Sequence, residues 1–97
     1  MPGLAKIRQS HPYPQDIYWL IEVSNKTLGK DLTEKSTIYA RNAIVEYWVI
    51  DLINKKLIVH TVPEGNKYTK VTEYTKGVIS PLAFPELGIA IEQLLLF

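Results

Sequence analysis

The run Ile17-Tyr-Trp-Leu-Ile-Glu-Val23 is the stretch that decides how the fold of this chain is interpreted. The run is rich in β-branched and aromatic residues and is almost continuously apolar, which is typical of a β-strand that is covered on both faces. Glu22 is the only charged residue in the run. Such a lone carboxylate either lies at an exposed strand end, where it reaches water, or belongs to a functional site, and the strand pattern alone leaves both interpretations open.

The segment after this run has the pattern of a helix. Asp31 and Glu34 have capping-box spacing, with an acid at the N-cap and a Glu three residues later. The helix is predicted to continue to about Asn42, with Glu34 facing away from its apolar stripe and Lys35 at the edge of that stripe. Lys35 also follows Asp31 by four residues, an ion-pair spacing worth about 0.2 to 0.5 kcal/mol of helix stability. The stripe consists of Leu32, Tyr39, Ala40 and Ala43.

Three more strands and a short terminal helix are predicted beyond this helix. Residues 46–52 form a second strand of the buried type, and residues 57–62 pair with it as a hairpin. Residues 68–74 alternate apolar and polar side chains and extend the meander, and residues 91–96 form an apolar helix or docking segment. This order indicates an α/β or α+β domain in which one main helix crosses a mixed sheet.

Composition limits the range of functions. The chain has 97 residues, which predicts a single domain over residues 1–97. Its net charge of +1 gives no global field that would attract DNA or an anionic membrane, so a nucleic-acid role requires local patches. The chain has no cysteine, which excludes thiolate chemistry and is consistent with the cytoplasm. Its apolar runs are far shorter than the roughly 20 residues that span a bilayer.

Several segments, taken in order, resemble the Uma-two family, which is grouped with the restriction endonucleases of the PD-(D/E)XK nuclease superfamily. The resemblance covers most of the chain and corresponds to the C-terminal part of family members, which extend further upstream. It implies a restriction-endonuclease-like mixed sheet with one main helix and a C-terminal β meander, truncated at the N-terminus. The segments are residues 11–24, Lys30-Asp31, Lys35, residues 39–41, residues 46–51 and residues 80–85.

The same resemblance implies an active site. In the nuclease fold, an Asp and an acid on the next strand bind a divalent metal, usually Mg²⁺, and a Lys helps to place the attacking water. Carried over to matching positions, Glu22 is the metal ligand and Lys35 is the water-orienting cation, since the strict lysine position holds Ser24. Gly3 occupies the place of the expected Asp. Loss of that carboxylate removes a ligand and a negative charge, so activity is expected to be impaired.

The nearest acids are poor replacements for the missing Asp. Asp16 and Glu22 share one face of an extended strand, but they lie roughly 20 Å apart at about 3.3 Å per residue. One Mg²⁺ ion, with ligand distances of about 2.1 Å, cannot bridge that gap. Asp31 is predicted to be the N-cap, and that role competes for the same oxygens.

Other candidate residues have plain structural interpretations. Four aromatic residues could stack on bases, but they lie in strand or helix-stripe positions that favour core packing. His11 and His60 lack partners at metal-ligand spacing, and His60 is assigned to a face of the hairpin. Lys26 and Lys30 flank the predicted site and could contact phosphates, although exposed lysines are usually only solvated. The four aromatic residues are Trp19, Tyr39, Tyr47 and Trp48.

Two functions from different classes follow. The first is a metal-dependent endonuclease domain that hydrolyses DNA, with Glu22 and Lys35 as its catalytic residues. The alternative is a catalytically inactive nuclease-fold fragment that acts as an interaction module. In that alternative the strand over residues 17–23 has a partly unpaired edge, and unpaired edges recruit other chains. A homo-oligomer is therefore expected, with no role for a membrane.

Overall fold

The computed structural model describes residues 18–26 and 29–96. Within these ranges, the chain forms six strands and two helices. In the described part of the chain, neither helix has the length and apolar character needed to cross a membrane. In chain order the elements are β1 (Leu20–Ser24), α1 (Lys30–Arg41), β2 (Glu46–Asp51), β3 (Lys56–Glu64), β4 (Lys67–Tyr74), β5 (Val78–Ile79), β6 (Ile89–Ala90) and α2 (Ile91–Leu94).

The main sheet has four strands in the order β1-β2-β3-β4. β1 pairs with β2 in parallel, whereas β2–β3 and β3–β4 pair in an antiparallel manner. A parallel pair needs a long crossover connection, and α1 supplies it. The architecture is therefore a mixed α+β sheet with one main helix and a β meander, as the sequence predicts, and it is compatible with an α/β nuclease-like fold.

β2 is the centre of the molecule, because all six of its residues are buried. Alternate side chains point to opposite faces of the sheet and enter two separate cores. Trp48 and Ile50 pack on one face with Ile91 of α2, while Tyr47 and Val49 pack on the other face with Ala40 of α1. The uninterrupted apolar pattern of this strand is thus explained by cover on both faces.

β1 is different from the prediction made for residues 17–23. Cover on both faces was expected, but Ile21 and Val23 are 36% and 53% exposed, while Leu20 and Glu22 are partly buried. The expectation of two covered faces is therefore wrong for the described residues of this strand. The helix α2 packs instead against β2 and β3, where Ile91 contacts the core around Trp48.

The ends of α1 also correct the prediction. Its N-cap is Gly29, with φ of 143° and no side-chain capping bond, so Asp31 is inside the helix rather than its cap. At the other end, the Ala43 N–H donates to the Ala40 carbonyl at 2.9 Å and the Ile44 N–H donates to the Tyr39 carbonyl at 3.1 Å. These two bonds form a Schellman motif. Ala43, which was predicted to face the core, is exposed.

The C-terminal segment is fastened to the sheet by a buried acid. Glu46 is only 2% exposed, and its carboxylate accepts hydrogen bonds from Trp48 Nε1 and from the Leu82 N–H, both at 2.7 Å. Because Leu82 lies in the connection between β5 and β6, this acid joins that connection to the central strand. The helix α2 forms where a terminal helix was predicted, whereas the two-residue strands β5 and β6 were not anticipated.

Candidate functional site

Glu22 lies in the middle of β1, not at its end. It pairs in register with Val49 of β2, and therefore shares a sheet face with Tyr47 and with the helix α1. Its side chain is 27% exposed, so the carboxylate is half-buried and still accessible to solvent. The strand-end interpretation of this lone acid is not what the structure shows.

Three side chains from two other elements meet at this carboxylate. The Tyr47 hydroxyl donates to Oε1 at 2.9 Å, and the Tyr39 hydroxyl donates to Oε2 at 2.9 Å. Lys35 Nζ lies 3.5 Å from Oε1 and forms an ion pair with it. Glu22 and Lys35, the two residues that the resemblance singled out, are thus brought together.

The local structure explains why these residues converge. Lys35 and Tyr39 are four residues apart on α1, and residues at that spacing lie on the same side of a helix. Tyr47 pairs with Leu20, two residues before Glu22, so both side chains point to the same face of the sheet. The β1–α1–β2 unit therefore supplies the whole cluster of Glu22, Lys35, Tyr39 and Tyr47, which we call the Glu22 cluster.

Aromatic rings hold the two phenols in place. The rings of Tyr39 and Tyr47 meet edge to face, with centroids 4.9 Å apart, and the ring of His60 packs on Tyr47 at 4.9 Å. His60 Nδ1 lies 3.0 Å from the Tyr47 carbonyl oxygen. Since a carbonyl can only accept, Nδ1 carries the hydrogen. The hydroxyl of Tyr68, whose ring contacts His60, donates to the Ile44 carbonyl at 2.7 Å.

Burial changes the acid–base behaviour of this aromatic group. It lowers the pKa of His60 below its ordinary value, and the hydrogen bond to the Tyr47 carbonyl opposes only part of that change. Burial likewise raises the pKa of Tyr68. Both side chains are therefore neutral at physiological pH and serve as packing for Tyr47. His60 lies in β3, on a face of the hairpin, as predicted.

The Glu22 cluster opens onto a polar pocket of about 260 Å³. Glu22, Lys35, Lys26 and Ser24 line it, so one acidic and two basic residues contribute to the same pocket. A nearby acid, Asp51, pairs in register with Ser24 but is fully buried. Its oxygens accept hydrogen bonds from the turn that follows β2, so Asp51 is structural and leaves Glu22 as the acid of this pocket.

Two positions that bear on the predicted metal site, Gly3 and Asp16, lie outside the described residues. Within residues 18–26 and 29–96, no three His, Cys, Asp or Glu side chains are grouped as metal ligands usually are. Sequence reasoning favoured core packing over base stacking for Tyr39 and Tyr47, and it missed their hydrogen bonds to Glu22. The four-residue spacing of Lys35 and Tyr39 was the available signal, because it places a phenol beside the candidate lysine.

A mixed α+β domain with a Glu–Lys pair in an open pocket is compatible with the nuclease class. Residues 2–92 match the model of the family Uma2, which is described as "Putative restriction endonuclease". The chain therefore belongs to the Uma2 family. No curated protein and no solved structure matches it.

Proposed function

We propose that this chain is a metal-dependent nuclease domain that hydrolyses phosphodiester bonds in DNA. The observation that supports this most directly is the pairing of Glu22 and Lys35 at 3.5 Å beside a polar pocket, in a chain of the Uma2 family. An acid that can hold a cation and a lysine that can orient water are two of the three protein groups that the nuclease fold uses for this chemistry. In this proposal, Glu22 is the metal ligand and Lys35 is the water-orienting residue.

The donor set suits Mg²⁺ in a limited way. Mg²⁺ prefers oxygen ligands, keeps several waters and is usually held by one or two carboxylates together with substrate phosphates. The described lining of the pocket supplies one carboxylate, Glu22, and the Gly3 position lacks the second acid that the family pattern leads one to expect. When bound, the ion would neutralise charge on the phosphate and lower the pKa of the attacking water. We propose that Gly3 makes the activity weak.

Lysine side chains are proposed to position the substrate. Lys26 and Lys35 both line the pocket, and their positive charges are local in a chain whose net charge is only +1. A phosphate that enters the pocket would lie between these ammonium groups, while Lys35 stays within reach of Glu22. Contacts of this kind hold a phosphate backbone without reading base sequence.

A cleavage assay tests the proposal. Supercoiled plasmid DNA is incubated with Mg²⁺ or Mn²⁺ and with the unchanged chain, Glu22→Gln, Lys35→Gln or Gly3→Asp. We expect the first two variants to lose about 100-fold or more in rate, since each removes a group used in general acid–base or metal-assisted catalysis. Gly3→Asp is expected to cleave faster than the unchanged chain, because it restores a carboxylate.

Glu34→Gln is the matched control. Glu34 is an exposed acid on α1, the helix that carries Lys35, and its side chain does not line the pocket. It should cleave at the unchanged rate. Cleavage by Glu22→Gln at the rate of the unchanged chain would refute the proposed role of Glu22. Failure of every variant to cleave, Gly3→Asp included, would instead favour the inactive interaction module.

We also propose that copies of the chain associate through β1. This strand is at one edge of the described four-stranded sheet, and its apolar residues Ile21 and Val23 are exposed. An edge strand offers backbone hydrogen-bonding groups to other chains unless something blocks them. The cytoplasm remains the expected location of such an assembly.

A further inference from the structure

We infer that Tyr39 and Tyr47 are positioning residues that hold the Glu22 carboxylate in one orientation for a bound cation. This inference rests on the proposed function, in which Glu22 is a metal ligand, and it adds two residues that act through Glu22. It assigns to these tyrosines a role that neither their strand and helix positions nor the family description specifies.

The hydrogen-bond pattern supports this role. Each phenol donates to a different oxygen of Glu22, at 2.9 Å in both cases, and the two donors come from a helix and from the neighbouring strand. The terminal torsion of a glutamate is otherwise broad and allows the carboxylate to rotate. Two donors fixed to two separate elements remove that rotation.

The same pattern leaves room for a cation. A carboxylate has about four lone-pair positions, two on each oxygen, and the two phenols use one on each. Oε1 is also paired with the Lys35 ammonium at 3.5 Å, so the remaining acceptor capacity is on Oε2. Hydrogen-bonded partners that orient a metal-ligating carboxylate in this way typically contribute about 10- to 100-fold to metal affinity or activity.

The phenols themselves are fixed before any ligand arrives. Tyr47 is only 1% exposed and lies between the rings of Tyr39 and His60. The backbone of Tyr39 is held by the Ile44 N–H in the Schellman motif at the end of α1. A donor that is already fixed loses little conformational freedom when the site is used, so its hydroxyl can orient Glu22 at low entropic cost.

Mn²⁺ binding, followed by electron paramagnetic resonance of the free ion, tests this inference without relying on catalysis. The proteins compared are the unchanged chain, Glu22→Gln, Tyr39→Phe, Tyr47→Phe and the matched control Tyr68→Phe. Tyr68 belongs to the same aromatic group, but its hydroxyl donates to the Ile44 carbonyl and not to Glu22. We expect Mn²⁺ affinity to fall about 10- to 100-fold in Tyr39→Phe and Tyr47→Phe, to stay unchanged in Tyr68→Phe and to vanish in Glu22→Gln.

A second measurement separates positioning from general loosening of the fold. If the defect is one of cation affinity in a folded chain, saturating Mn²⁺ restores cleavage in the two phenylalanine variants. Thermal unfolding shows which variants are folded under the assay conditions. Tyr39 is only partly buried, so Tyr39→Phe provides the test even if Tyr47→Phe unfolds.

The outcomes distinguish this inference from the proposed function. Binding that requires Glu22 but is equally tight in the Tyr39 and Tyr47 variants overturns the positioning role and leaves the proposed function in place. An equal loss in Tyr68→Phe also overturns it, because the effect would then come from the aromatic group as a whole. No Mn²⁺ binding by the unchanged chain overturns the positioning role, and it overturns the proposed function as well if that chain also fails to cleave DNA.

Discussion

At the scale of single residues, the chain places its charged and titratable groups in contrasting environments. Glu22 and Lys35 meet at a pocket that is open to solvent, whereas His60 is enclosed by the rings of Tyr47 and Tyr68. Residue identity suggested Glu22 and Lys35 through the family resemblance, but it could not reveal the phenols that bind Glu22. Those contacts depend on which residues of β1 and β2 are paired, and the sequence does not specify that register.

His60 gives a prediction about pH. Burial holds its folded-state pKa below the ordinary value of 6.5, so the unfolded chain binds a proton at a higher pH than the folded chain does. The stability contributed by neutral His60 is therefore complete above about pH 6.5 and is lost as the pH falls from there toward the folded-state pKa, by at most about 1.4 kcal/mol per pH unit.

We expect thermal unfolding curves of the unchanged chain to shift to lower temperature as the pH falls below 6.5. His60→Asn, whose amide can donate to the Tyr47 carbonyl but does not titrate, should show a smaller shift over the same range. An identical pH dependence in His60→Asn and the unchanged chain would show that burial of His60 does not link folding to pH.

At the scale of elements, local patterns predicted what local interactions determine. The strands β2, β3 and β4, the helix α1 and the terminal helix all lie where the sequence indicated them. The sequence did not predict the N-cap at Gly29 or the exposed face of β1, and each failure has its own physical reason. An acid at capping-box spacing competes with a glycine two residues earlier, and the cover over an apolar strand depends on where distant elements pack.

The Schellman motif at the end of α1 supports a prediction about stability. Its C′ residue is Ala43, with φ of 59°, a conformation that costs an L-residue about 1–2 kcal/mol. Ala43→Gly removes that cost, and the greater freedom of unfolded glycine offsets about 0.5–1 kcal/mol of the gain. We expect a net increase of up to about 1.5 kcal/mol in the free energy of unfolding.

Urea denaturation measures this increase as a higher midpoint concentration with an unchanged m-value. Ala40→Gly is the control, because Ala40 is a buried residue inside the same helix, and that variant should be destabilised. A destabilised Ala43→Gly would mean that the alanine side chain contributes more than its backbone strain costs.

At the scale of the whole molecule, β1 is an edge strand of the described four-stranded sheet, and its apolar residues Ile21 and Val23 are exposed. We expect the chain to self-associate at high concentration through β1, and sedimentation equilibrium measures the distribution of masses. Val23→Lys places a charge on the exposed face of that edge strand and should shift the distribution toward monomer. Val78→Lys is the control, since Val78 is 72% exposed but lies in the small second sheet. A strictly monomeric unchanged chain would contradict this expectation.

The β1–α1–β2 unit that carries the Glu22 cluster limits where residues can be inserted into this chain or deleted from it. Every member of the Glu22 cluster lies between residues 22 and 47, and two of them, Lys35 and Tyr39, depend on a separation of one helical turn. One inserted residue between them would rotate Tyr39 by about 100° around the axis of α1 and carry its hydroxyl away from Glu22. The turn at Gly65, by contrast, joins two strands that supply none of the four residues of the cluster. Insertions or deletions in the β3–β4 turn are thus geometrically compatible with the pocket, whereas insertions or deletions inside α1 are not.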